Sequence, residues 1–240
     1  MISHSEQAAL KIRRFTNKLR ADTSGLALIE FAYSLPLLVG LVGYGLELTN
    51  LAGANLKVSQ AANALADNMS RVGLESSLAL TQLREADVND GFIGLKKQAD
   101  ALDITNNGRI ILSSLERNAQ GGQWIHWQRC LGTKNYPSTY GNAGDGATGT
   151  TFQGMGPATA KVTAPVAGSA VMVVEIIYDY KPLFTTMFFP AKQIKYHASF
   201  IVRDDRDLRG PFDSTRPEGY GIYNPSPTAP VRSCNLFTAS

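Results

Sequence analysis

Two cysteines and three histidines are few among 240 residues from which to build a transition-metal site. Cys130 and Cys234 sit in no CxxC and in no Cys/His cluster of metal-ligand spacing, so neither a metal nor a cofactor is expected. A disulfide between them is the simplest use. It would close a loop of about 100 residues and constrain the unfolded chain by up to about 4 to 5 kcal/mol in the entropic account. Two unrelated buried thiols are the alternative. Charge is also sparse, with 18% Asp, Glu, Lys and Arg and a formal net charge of +3. No dense Lys/Arg block is present, which excludes nucleic acid as an expected partner.

Recognisable catalytic sequences are missing as well. There is no GxSxG, HExxH or Walker pattern. Gly144-Asp-Gly-Ala-Thr-Gly149 spells GxGxxG but lies among Asn, Gly and Thr without a preceding strand, and reads as a flexible loop. His126, between Trp124 and Trp127, and His197 have no acid at ligand spacing and read as packing or surface residues. Asp204, Asp205 and Asp207 lack the glycine turn and terminal glutamate of a calcium loop and read as a solvated strand end. The chain is not expected to be an enzyme.

The sequence does hold a long apolar run. Leu26 to Leu48 reads LALIEFAYSLPLLVGLVGYGLEL, long enough as a helix to cover about 34 Å against a hydrocarbon core of about 30 Å. Lys11, Arg13, Arg14, Lys18 and Arg20 precede it against only Glu6 and Asp22, which retains the N-terminus in the cytoplasm and exports the chain beyond the span. A cleaved secretory signal is the competing reading, with Ala52-Gly53-Ala54 as its small-residue site, although its apolar core would be unusually long. Within the run stand two acids, Glu30 soon after Gly25 and Glu47 at its far end, and Pro36, which removes a helical hydrogen bond and predicts a bend. An ionisable group inside a membrane is costly and marks function by default. Snorkelling of Glu30 toward the headgroups is the bland alternative.

Gly25, then Glu30 five residues on, then Phe31, resembles the cleavage site of type IV prepilins. With Pro36 and the surrounding small residues, the segment is most similar to TadE-like proteins, the minor pilins or pseudopilins of tight-adherence (Flp) pilus systems. The Tyr178 to Leu183 stretch and the strand after it resemble the C-terminal half of that family more weakly. The resemblance implies a bacterial inner-membrane protein, single-pass, cut by a prepilin peptidase between Gly25 and Leu26, whose N-terminal helix packs on other pilin or assembly subunits. A new α-amine on Leu26 would lie about one turn from Glu30 and balance its charge, within one chain or between neighbours.

Beyond the span, Leu51, Val58, Leu65 and Val72 recur every seven residues, interleaved with Leu48, Ala62 and Met69. That spacing predicts an amphipathic stalk reaching about Arg71, its seam facing either the chain's own domain or other subunits. A second helix is expected from Leu78 to Phe92, broken at Asn89-Asp90-Gly91. Alternation predicts strands at Met172 to Tyr180 and Ile194 to Arg203, paired antiparallel with acids and bases opposed on the solvent faces. Further strand candidates are Arg109 to Leu115 and Gln123 to Cys130. The expected fold is α+β and pilin-like: basic leader 1–25, transmembrane helix 26–48, stalk 49–72, and periplasmic domain 73–240 with a flexible loop 132–156 and a Pro/Gly-rich tail 210–240. A structural or assembly protein is the leading reading, with incorporation into an extracellular pilus as one of its forms. A soluble periplasmic binding protein released near Ala54 is the alternative, and a membrane-tethered enzyme would require a clustered polar pocket.

Overall fold

A computed structural model describes residues 4–76, 79–183, 190 and 192–239. The chain forms two units, Met1–Thr49 and Asn50–Ser240. The first holds α1 (His4–Ala21) and the opening part of α2 (Ser24–Met69). Lys18 and Arg20 fall in the last turn of α1, where cations favour the negative end of the helix dipole. Asp22 and Thr23 separate the helices, and the Thr23 carbonyl accepts from the Leu26 and Ala27 amides at 3.1 and 3.4 Å. From there α2 runs unbroken for 46 residues with Pro36 inside it. Span and stalk are therefore one helix, ending two residues before the expected Arg71.

The second unit is α+β. After the end of α2 come β1 (Leu74–Ser76) and β2 (Ala79–Gln82), a small antiparallel pair, then α3 (Glu85–Gln98), a 3-10 turn (Asp100–Leu102) and α4 (Ile104–Asn107). Next in the chain is a four-stranded antiparallel sheet, built from β3 (Gly108–Arg117), β4 (Gln123–Leu131), β5 (Ala170–Tyr180) and β6 (Lys192–Ile201) in the order β4-β3-β5-β6. All four expected strands are present.

One core lies between the helices and a face of this sheet. Val58, Ala62, Leu65 and Met69 of the stalk pack with Ile110, Leu112, Trp127, Met172, Val174, Ile176 and Tyr178. Each large apolar side chain so buried contributes at most about 1.5 to 3 kcal/mol. The seam thus faces the chain's own sheet.

Three expectations are corrected. The second helix starts at Glu85 rather than near Leu78, itself outside the described residues, and continues through Asn89-Asp90-Gly91 to Gln98. Gly91 serves as a close-approach point: a Cβ there would meet Met69 Cε at 2.5 Å. Asn89 is held from outside the helix, donating to the Pro230 carbonyl at 2.8 Å and accepting from Arg232 Nε at 3.1 Å. Second, β5 has no solvent face. Its odd residues Val171 and Val173 join Leu115, Ile125, Met155 and Ala164 in a separate core. The third correction concerns charge: Glu175 is buried, and only it meets a basic partner across the β5–β6 ladder, His197, since Lys195 pairs with Ile177 and Asp179 with Gln193.

The stretch 132–156 contains no regular helix or strand, yet it is laid on the sheet. Tyr140 and Phe152 pack on the second core. The Asp145 carbonyl accepts from the Ile125 amide at 2.9 Å, and the Gly144 amide donates to the Ile125 carbonyl at 2.7 Å. The GxGxxG segment is part of this cover.

Candidate functional site

Gly25, Leu26, Glu30, Phe31 and Pro36 all lie on the first turns of α2. Every residue from 25 to 42 is exposed, and the large apolar ones from Leu26 to Leu41 are between 43% and 76% exposed. A surface of this kind is untenable in water and calls for lipid or other helices. Among the described residues this is the one helix long and apolar enough to cross a membrane. The Glu30 carboxylate has no hydrogen-bond or ion-pair partner among the described residues. Gly25, Gly40, Gly43 and Gly45 have open space where a Cβ would project. The segment is chemically simple: one acid, one peptide bond at a helix start, and a smooth apolar cylinder. Around Asn50, the first residue of the second unit, the helix is fastened to the sheet, its amide donating to the Tyr180 hydroxyl at 2.6 Å.

Cys130 and Cys234 are bonded, with Cα atoms 4.8 Å apart, inside the usual range for a disulfide. The bond secures a strap. Residues 232–238 run along the outer edge of β4, where the Cys130 amide donates to the Arg232 carbonyl and the Gly132 amide to the Thr238 carbonyl, both at 2.7 Å. Beneath the strap is Arg109, 1% exposed, whose guanidinium donates at 2.7 Å to the carbonyls of Gly132, Leu236 and Cys234. Phe237 lies 4.5 Å from it in a cation–π contact. Burial lowers the Arg109 pKa from its usual value, and the three carbonyls with the ring replace the water it has lost.

Two polar clusters escaped the sequence. Glu175, pushed upward by burial, accepts from the Ser138 hydroxyl and from the Thr139 amide, the latter at 2.9 Å. His126 and Glu116 form a buried pair at 3.0 Å. The signal for it was the β3–β4 hairpin: Glu116 faces Trp124, which puts His126 at the diagonal position on the same face. No group of three His, Cys, Asp or Glu suited to a metal occurs among the described residues. Asp207, one of the three clustered acids, accepts from the Tyr223 hydroxyl, which raises that phenol to about 12.

No protein-family model, curated protein or solved structure matches this chain.

Proposed function

We propose that this chain is a TadE-like minor pilin or pseudopilin, anchored by α2 in a bacterial inner membrane with residues 1–25 cytoplasmic and the sheet domain outside. It serves a tight-adherence pilus as a structural or assembly component. A prepilin peptidase cuts between Gly25 and Leu26, and the freed helix packs on other subunits with Glu30 as the register device. The carrying observation is the exposed apolar surface of α2 bearing a single acid five residues after a glycine. In the membrane such an acid needs a counter-charge, and a new α-amine at Leu26 supplies one at the positive end of a helix dipole. The disulfide supports an exported, oxidising location for the domain.

The alternative, release near Ala54, would divide α2 where Ala54 is buried against the domain core and would discard the Asn50 contact to Tyr180. N-terminal sequencing of the protein from cells with an active prepilin peptidase separates the two. The proposal requires Leu26 as the first residue. A start at Leu56 or a neighbour establishes the soluble form, and an uncut chain sinks the pilin reading.

A further inference from the structure

His126 is surrounded by more acceptors than a neutral imidazole can satisfy. Its Nδ1 lies 3.0 Å from Glu116 Oε2 and its Nε2 3.0 Å from the Gly219 carbonyl oxygen. A carbonyl cannot donate. The Ser114 hydroxyl donates to Glu116 Oε1 at 2.6 Å, which favours the ionised carboxylate. A neutral imidazole has one N–H, whereas the imidazolium has two, so only the charged ring serves both neighbours. The ring is 1% exposed and stacks on Trp124 with centroids 4.3 Å apart.

The Gly219 side of this contact belongs to the turn-rich segment 211–220. Its bonds from Tyr220 to Pro211, Gly219 to Arg216, and Thr215 and Tyr220 to Asp213 are internal. Among the described residues, the hydrogen bonds joining 211–220 to the sheet run through His126. The ring meets the Gly219 carbonyl, and Arg216 donates to the His126 carbonyl at 3.2 Å. The next residue, Gly221, is pressed on the sheet so closely that a Cβ would meet Trp127 Cδ1 at 2.3 Å.

We propose that His126 is a proton-operated latch: doubly protonated, it ties Glu116 of β3 to the 211–220 loop, and on losing a proton it releases the loop. A neutral ring keeping its proton on Nδ1 turns a lone pair toward the Gly219 carbonyl. Keeping it on Nε2 turns a lone pair toward the buried Glu116 carboxylate, which then keeps the Ser114 hydroxyl but loses its imidazole donor. Either outcome weakens the junction.

The groups that set the midpoint come from both sides. Burial drives the imidazole down, but the hydrogen bond and charge of Glu116, with the Gly219 carbonyl, outweigh burial and the opposing Arg216 charge, so the net displacement from 6.5 is upward. Arg206 also reaches Glu116 electrostatically. Arg117, Arg209 and Glu218 share with Glu116, Trp124 and His126 the wall of a cavity of about 310 Å³ between loop and sheet. Because the folded pKa is raised, the contribution of the pair is complete below about 6.5 and lost as pH climbs through the higher folded value. Lifting the loop opens that cavity.

The test uses the full chain in detergent micelles. The His126 ring is titrated by NMR with ¹³C-labelled histidine, and amide exchange of 211–220 is followed from about pH 5 to about pH 9, corrected for intrinsic exchange. The expected result is a midpoint above 6.5, with protection of the loop falling severalfold across the same midpoint. Glu116→Gln should move the midpoint down, and His126→Gln should give a loop of constant, low protection. A His126 midpoint at or below 6.5, or loop protection in the native protein that ignores pH, overturns the latch. Should His126→Gln fail to fold, the native titration and Glu116→Gln decide the matter.

Discussion

Arg206 Nη1 donates to the carbonyl of Met69, the last residue of α2, across 2.9 Å, and its Nη2 reaches the Val72 carbonyl at 2.7 Å. A helix leaves its final carbonyls unpaired, and here a buried guanidinium from a segment 137 residues away closes the last of them, while the amides of Ser70, Arg71 and Val72 meet the three before it. Arg206→Met should destabilise the sheet domain by about 2 to 4 kcal/mol, since one buried and one partly buried acceptor lose their donors. Denaturant unfolding measures this, and Arg206→Lys should recover less than half because a single ammonium lacks the fork.

Reduction of the Cys130–Cys234 bond, or replacement of both residues by serine, should lower the stability of the domain by about 2 to 5 kcal/mol. Thermal unfolding with and without reductant reads the shift. Limited proteolysis should then find 232–238 cleavable, because the strap has lost its covalent tie to β4.

Glu175 predicts an acid-side dependence. Burial raises its folded pKa above the ordinary 4.5, with Ser138 and Thr139 working against burial. Its contribution is therefore complete below about 4.5 and falls as pH rises through the folded value. Unfolding free energies measured across that window should show a negative slope that Glu175→Gln flattens.

Glu30→Gln should insert into membranes as well as the native chain, measured by resistance to alkaline extraction, while fibre assembly drops. A cost of only about 1.4 kcal/mol per subunit contact lowers an association constant tenfold. Fibres as abundant as native ones would remove the register role.

The strands and the long helix were legible because their periods are strong. Leu51, Val58 and Leu65 at seven-residue spacing, and Ile194 with Ala198 on one side of β6, announce their faces directly. The second core was not legible, because Tyr140, Phe152 and Met155 are scattered among glycines, asparagines and threonines without any period. One clue was available in Ala170 to Ile177, a nearly continuous apolar run of the sort that marks a strand covered on both faces. Asn89-Asp90-Gly91 misled for a physical reason: a glycine wanted for contact with Met69 has the same letter as a glycine wanted for a turn. The strap, the latch and the α2 cap depend on carbonyls and guanidinia brought together from distant parts of the chain, and side-chain patterns carry no record of them.

The 104-residue interval between the bonded cysteines has a consequence for timing. On the proposed topology the chain beyond α2 crosses the membrane in order of synthesis, so β4 reaches the far side long before Cys234 does. Throughout that delay Cys130 is a lone thiol on an uncovered strand edge. Any oxidant acting early would couple it to a foreign partner or a sister chain, so orderly maturation favours slow oxidation relative to export.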